Sequence, residues 1–158
     1  MTTAQRDDLP NDVLALLSSL DEQKRAGSEA LIAVMSAATD LPPTLWTGRI
    51  VGFGSCRYRY DSGHQGETCA LGFSPRAKEF ALYLGLHLLD ADARAAALQP
   101  LGTVREGKGC LYLKDPATVD PAALAHLLTA SLQALAASPT TTDLTLGPGA
   151  QVEATAKA

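Results

Sequence analysis

One hairpin-like stretch, residues 46–76, constrains the fold of this chain more than any other part. The segment IVGFGSCRYRY at 50–60 predicts a long strand, and DSG at 61–63 is a turn signal. Residues 68–73 then predict the returning strand. The stretch also holds the only tryptophan of the chain, Trp46. We therefore expect an antiparallel sheet that is organised around this hairpin.

Two glycines interrupt the first strand of the hairpin. Gly52 and Gly54 indicate either a bulge or an element that approaches the backbone closely. A bulge would exchange the two faces beyond it, so the face assignment holds only for an unbroken strand. Alternation then places Ile50, Gly52, Gly54, Cys56, Tyr58 and Tyr60 on one face, and Val51, Phe53, Ser55, Arg57 and Arg59 on the other.

The rest of the chain predicts helices before the hairpin, and further strands and helices after it. Asp12 and Asp21 are expected to cap two N-terminal helices, and Gly27 weakens or kinks the second. Further helices are predicted after Asp90 or Asp92 and after Asp120-Pro121, and further strands at 79–84, 103–106 and 110–114. This order predicts an α+β fold, with a mostly antiparallel sheet of about five strands and helices packed on one face.

The length of 158 residues suits one domain with loose ends. We expect a flexible N-terminus at 1–10, a single domain at 11–137 and a disordered tail at 138–158. The tail sequence is rich in Thr, Ala, Gly and Pro and has no aromatic residue to bury.

Composition indicates the cellular compartment of the protein and excludes some classes of partner. With 13 basic and 17 acidic residues the formal charge is −4, which argues against nucleic acid as a general partner. No apolar run is long enough to span a membrane, and the polar residues 1–10 do not resemble a signal peptide. Three cysteines without a CxxC spacing fit reduced thiols. These features predict a cytoplasmic protein.

No arrangement of catalytic residues is recognisable in the sequence. A GxSxG elbow is absent, and Gly52 and Gly54 do not complete GxGxxG because Arg57 occupies the last position. The three histidines lack the spacing of a helical zinc site, although a Cys–His pair could still form through space. The sequence therefore predicts no catalytic residue. Cys56, Cys69 and Cys110 are either core thiols or metal or redox groups.

The basic and aromatic residues of the hairpin predict a binding site for a small anion. Cations that converge beside apolar rings could hold a carboxylate or a phosphate. The alternative is that the arginines are solvated or paired with Glu67, Glu79 or Glu106. The candidate ligand-binding residues are Trp46, Arg57, Tyr58, Arg59, Tyr60, Arg76 and Lys108.

Acidic residues cluster near the N-terminus and support a different hypothesis. Exposed carboxylates can hold hard cations such as iron weakly, without a closed cage. The alternative is that these residues cap helices and solubilise the protein. The acids concerned are Asp7, Asp8, Asp12, Asp21, Glu22, Glu29 and Asp40.

Several sequence blocks, in order, resemble the YdhG-like bacterial domain family. The resemblance covers about residues 12–135, and residues 65–70 depart from the family because they lack an aromatic side chain. The blocks are Trp46, IVGFG at 50–54, YxYxSG at 58–63, GFSPR at 72–76, LYL at 82–84 and GKGCLY at 107–112.

The resemblance implies a small α+β protein, most of whose relatives have no assigned activity. The named member is regarded as a frataxin-like iron chaperone that delivers iron to iron–sulfur and haem assembly. The resemblance thus implies a weak iron binder and donor, with iron–sulfur or haem assembly proteins as partners. The matching blocks contain no acidic ligand set. A sensor or carrier domain for a small anion is the alternative.

Overall fold

A computed structural model describes residues 8–107, 109–150 and 152, in which there are four α-helices and nine β-strands. The helices are α1 (Asn11–Ser18), α2 (Glu22–Thr39), α3 (Ala91–Leu98) and α4 (Pro121–Ala137). The strands are β1 (Thr44–Trp46), β2 (Ile50–Phe53), β3 (Ser55–Arg59), β4 (Gln65–Thr68), β5 (Leu71–Pro75), β6 (Phe80–Tyr83), β7 (Arg105–Gly107), β8 (Cys110–Leu113) and β9 (Thr141–Thr145). Short 3-10 helices lie at Leu86–Leu88, Gln99–Leu101 and Pro116–Thr118.

The strands form two antiparallel sheets. One has six strands in the order β1-β2-β5-β6-β8-β7, and the other has three in the order β4-β3-β9. Every strand pairing among the described residues is antiparallel. The α+β fold class is therefore confirmed, with more strands than the five expected. The placement of the helices on one face stays a prediction.

The core lies against one face of the six-stranded sheet. Phe53, Phe73 and Phe80 are at most 1% exposed, and the rings of Phe73 and Phe80 have centroids 6.3 Å apart. The two long helices, α2 and α4, add buried apolar side chains to the same cluster. On the opposite face, the strand register places five residues side by side across the sheet, in the order Gly52, Gly72, Tyr83, Cys110 and Gly107.

The central hairpin is divided between the two sheets, so the prediction of one long strand at 50–60 is wrong. Gly54 takes a left-handed conformation with φ of 66°, which ends β2 before β3 begins. The returning strand breaks at the same level, where Ala70 N donates to Phe53 O over 3.1 Å. Phe53 and Cys56 are consequently both buried, although unbroken alternation assigned them to opposite faces.

Local signals for the helices are largely confirmed. Asp21, Asp90 and Asp120 each accept a hydrogen bond from a backbone N–H of the helix that they precede. Asp12 is an exception, because α1 begins after Pro10 and Asp12 lies in its first turn. Gly27 does not kink α2, which continues through it. No helix among the described residues combines the length and apolarity needed to cross a bilayer.

The segment after α4 forms part of the fold, so the prediction of a disordered tail is wrong for its first part. Strand β9 pairs with β3, and Leu144 is 1% exposed. The chain then returns to the end of α2, where Gly147 N donates to Thr39 O and Gly149 N donates to Asp40 Oδ2, both over 2.8 Å. Nothing in the sequence indicated this strand, because the segment has no aromatic residues and its partner strand lies more than 80 residues away in the chain.

Candidate functional site

The structure places Arg57 and Arg59 on the three-stranded sheet. Arg57 Nε donates to Glu67 Oε2 over 2.8 Å, directly across the β3–β4 pair. Its side chain is 66% exposed, so this ion pair contributes little to stability. Arg59 is exposed near the tip of the hairpin. Arg57 is therefore paired with Glu67, as one of the two hypotheses from the sequence expected.

Tyr58 and Tyr60 join His64 in an aromatic group at the same tip. The Tyr58 and Tyr60 centroids are 5.3 Å apart, and the Tyr60 ring stacks on His64 at 5.9 Å. Tyr58 also lies across Gly66 on the neighbouring strand, where an added Cβ would lie 2.6 Å from the Tyr58 hydroxyl. These rings pack on each other, and Tyr58 also lines a surface hollow together with Arg57 and Glu67, so this part of the predicted anion site stays a prediction.

Trp46 belongs to the other sheet. It lies on the edge strand β1, and its indole covers Gly52 so closely that an added Cβ would lie 2.6 Å from Trp46 Cδ1. Position 52 therefore requires glycine, because any larger side chain would clash with the indole of Trp46. This outcome fits the prediction that something lies close on the glycine-spaced strand.

Arg76 directly follows strand β5 of the six-stranded sheet, at the opposite end of the hairpin from Arg59. Its Nη2 donates to the Tyr83 hydroxyl over 2.8 Å. Because Gly54 carries the hairpin from one sheet to the other, Arg76 and the pair Arg57 and Arg59 cannot form the single cluster that we expected. Lys108 lies outside the described residues.

Arg76 instead meets residues that the sequence did not single out for binding. Cross-strand register places Tyr83 opposite Cys110, and Arg105 opposite Tyr112. Cys110 Sγ donates to the Tyr112 hydroxyl over 3.0 Å, and the Arg105 guanidinium lies 3.9 Å from the centroid of the Tyr112 ring. We call the group formed by Arg76, Tyr83, Arg105, Cys110 and Tyr112 the tyrosine–arginine cluster.

The cluster presents hydrogen-bond donors to solvent. The hydroxyl oxygen of Tyr83 accepts from Arg76, and that of Tyr112 accepts from Cys110, so each phenol can still donate its own hydrogen. The hydrogen bond and the electrostatic interaction with Cys110 raise the pKa of Tyr112 above its ordinary value. The pKa of Arg76 is raised by its hydrogen bond to Tyr83. At neutral pH, both phenol and guanidinium therefore retain their protons.

The two arginines of the cluster differ in their charge balance. Arg105 forms an ion pair with Glu79, which is 23% exposed at the turn between β5 and β6. Among the described residues, no carboxylate lies within ion-pair distance of Arg76, whose polar partner is the neutral Tyr83 hydroxyl. The cluster thus carries an uncompensated positive charge at Arg76 beside two phenolic donors.

A cleft of about 440 Å³ adjoins the cluster. Arg105, Tyr112 and Glu79 form one border, and the other walls come from the segments before β7 and after β8. The volume lies within the range of small-molecule sites, which is about 300–1,000 Å³. The remaining lining residues are Leu101, Thr103, Val104, Leu113, Lys114, Asp115, Thr118 and Val119.

Strand alternation could have identified three members of the cluster from the sequence. In residues 80–83 and 110–113, the buried Phe80, Leu82, Leu111 and Leu113 alternate with the side chains of the other face. Tyr83, Cys110 and Tyr112 occupy those alternate positions and are half-buried. What the sequence could not show is which strands are neighbours.

The cysteines and the N-terminal acids are placed as follows. Cys56 and Cys69 are buried, as expected for core thiols, and burial raises the pKa of Cys69 to about 11. Cys110 is half-buried within the cluster.

Asp21 caps α2, and Asp40 accepts a hydrogen bond from Gly149 N, so these two acids have structural roles. Within the described ranges, no group of three or more His, Cys, Asp or Glu residues is arranged to hold a metal ion.

Comparison of the chain with family models, with curated proteins and with solved structures gives no match. The resemblance to the YdhG-like family therefore stays a prediction that rests on the sequence blocks.

Proposed function

We propose that this protein is a binding domain for a small anionic ligand, which it holds at the tyrosine–arginine cluster. The observation that carries the proposal is the hydrogen bond from Arg76 to Tyr83. It fixes a guanidinium that has no carboxylate partner in the described part of the chain, and it places that guanidinium beside a phenol that can donate. Relative to the sequence hypothesis, Arg76 is retained and Arg57, Arg59, Tyr58 and Tyr60 are replaced by residues of the six-stranded sheet.

The chemistry of the cluster favours an acceptor-only ligand. Guanidinium groups bind carboxylate and phosphate with charge-assisted hydrogen bonds, which are worth about 1.5–3 kcal/mol each. Tyr83 and Tyr112 add neutral donors on the same face of the sheet. An anion would satisfy all of these groups, whereas a cation would meet the uncompensated charge of Arg76.

An NMR titration with inorganic phosphate and with acetate tests the proposal. We expect Arg76→Gln to weaken binding at least tenfold, because one charge-assisted bond is lost. Arg57→Gln is the matched control, since it removes the same charge from an exposed residue outside the cluster. Tyr83→Phe should weaken binding less than Arg76→Gln does. An equal effect of the two arginine substitutions, or none, would contradict a site at the cluster.

Iron handling in the cytoplasm, with iron–sulfur or haem assembly proteins as partners, remains a second proposal. The resemblance to the YdhG-like family is what supports it. Calorimetric titration with ferrous iron tests it, with Asp8 and Asp12 changed together to Asn in the comparison protein. Micromolar binding that the two substitutions weaken would support it, and absence of binding would contradict it.

A further inference from the structure

We infer that the anion carries an apolar chain or ring, which lies in the cleft beside the tyrosine–arginine cluster. This inference rests on the proposed function and adds a class of ligand, an amphiphilic acid. The first step is the shared border, since Arg105 and Tyr112 belong to the cluster and also line the cleft. A ligand held by the cluster is therefore adjacent to the cleft.

The turn between β5 and β6 links the uncompensated charge to the same border. Arg76 N donates to Glu79 O over 2.8 Å, so both residues are fixed by one turn. Glu79 lines the cleft and pairs with Arg105, while Arg76 turns its guanidinium to Tyr83. The acidic group of the ligand thus has one preferred place, at Arg76, because the neighbouring cation is already neutralised by Glu79.

The walls of the cleft favour an apolar occupant. Four apolar residues line it, of which Leu101 and Leu113 are buried and Val104 and Val119 are half-buried. The charged side chains that border it balance, because Arg105 and Lys114 are matched by Glu79 and Asp115. A second charge on the ligand is therefore not favoured within the cleft, whereas apolar surface can be removed from water there.

The expected gain in affinity follows from the buried area. Burial of roughly 55 Å² of apolar surface strengthens binding about tenfold, at roughly 25 cal/mol per Å². A six-carbon chain or a phenyl ring can bury more than this in a cleft of about 440 Å³. We therefore expect hexanoate and phenyl phosphate to bind at least tenfold more tightly than acetate and inorganic phosphate, respectively.

The experiment is an NMR titration of the full chain with these four ligands. Val104→Asp and Val119→Asp each place a carboxylate in the cleft, and they should abolish the gain while leaving acetate and phosphate binding within about twofold. Val34→Asp is the matched control, since Val34 is also half-buried but lies on α2. Val119→Ala, which removes only two methyl groups, serves as a second variant if an aspartate variant does not fold.

The outcomes separate the two proposals. Equal binding of hexanoate and acetate, with Arg76→Gln still weakening both, overturns the amphiphilic ligand and leaves the anion site. If hexanoate and phenyl phosphate still bind more tightly than acetate and phosphate in both Val119 variants, the apolar group does not lie in the cleft. Failure of all four ligands to bind overturns the proposed function itself. A tenfold gain that only the cleft variants remove, with chemical-shift changes at Val104 and Val119, supports the inference.

Discussion

The ring of Phe80 lies directly against the backbone of α2 at Gly27. A Cβ added to Gly27 would lie 2.6 Å from Phe80 Cζ and 3.3 Å from Pro116 Cδ. Phe80 is 1% exposed and cannot move aside without disturbing the core. The glycine that appears as a weak point of a helix in the sequence is therefore the residue that lets the helix approach the sheet.

Gly27→Ala should destabilise the protein despite the better helix propensity of alanine. The propensity gain is about 1 kcal/mol, and overpacking of a buried ring costs about 1–3 kcal/mol, so we expect a net loss of about 1 kcal/mol. Urea unfolding followed by circular dichroism measures it. Ala26→Gly, at the exposed neighbouring position, reports the propensity term alone and should cost about 1 kcal/mol. A more stable Gly27→Ala protein would contradict the close contact.

Leu144→Ala should destabilise the protein as a core substitution does, although Leu144 lies in the segment that the sequence predicted to be a disordered tail. Its side chain is 1% exposed within the core cluster, so we expect a loss of about 2–5 kcal/mol. Leu146→Ala, at a half-buried position two residues later, is the control and should cost less. Urea unfolding of both proteins decides the point. Two small and equal losses would show that β9 is not part of the cooperative fold.

Local chemistry made much of this fold predictable. The Asp120-Pro121 pair is a signal within two residues, and the structure confirms the helix that it predicts. The two glycines signalled an interruption of the first strand, but not that the chain passes to a second sheet at Gly54. The pairing of β9 with β3 joins residues far apart in the chain, so the sequence did not disclose it. The residues of the predicted anion site are divided for the same reason, because that break places Arg57 on the three-stranded sheet and Arg76 at the end of a strand of the six-stranded sheet. Anion binding at Arg57 and Arg59 stays a prediction.

Cys69 should make stability fall at alkaline pH. Burial raises its pKa to about 11 from the ordinary 9.0. Below about pH 9 the thiol is protonated in both states and its contribution is fully present. Between pH 9 and 11 the unfolded chain loses this proton while the folded chain keeps it, so the free energy of unfolding decreases, by about 2–3 kcal/mol in total.

Unfolding in urea at pH 8, 9.5 and 10.5 measures this effect against Cys69→Ala. The substitution lowers stability at pH 8, because it removes a buried side chain, and the gap between the two proteins should narrow as pH rises. Groups that do not interact with Cys69, such as Tyr112, act in both proteins and cancel in the difference. A gap that stays constant from pH 8 to pH 10.5 would mean that the Cys69 thiol ionises alike in both states.

Gly52→Ala should displace the indole of Trp46. The added methyl would lie 2.6 Å from Trp46 Cδ1 and 2.7 Å from Nε1, with Cys69 Cβ also 2.7 Å away. Cys69 is buried, whereas Trp46 is half-buried on an edge strand, so the indole is the group that moves outward. Since this is the only tryptophan of the chain, we expect a red shift of the intrinsic fluorescence emission. Leu144→Ala, which loosens the core without touching the indole contact, controls for general destabilisation and should leave the emission of the folded protein unchanged. An unshifted spectrum in folded Gly52→Ala would show that the hairpin accommodates the methyl by separating β1 from β2 instead.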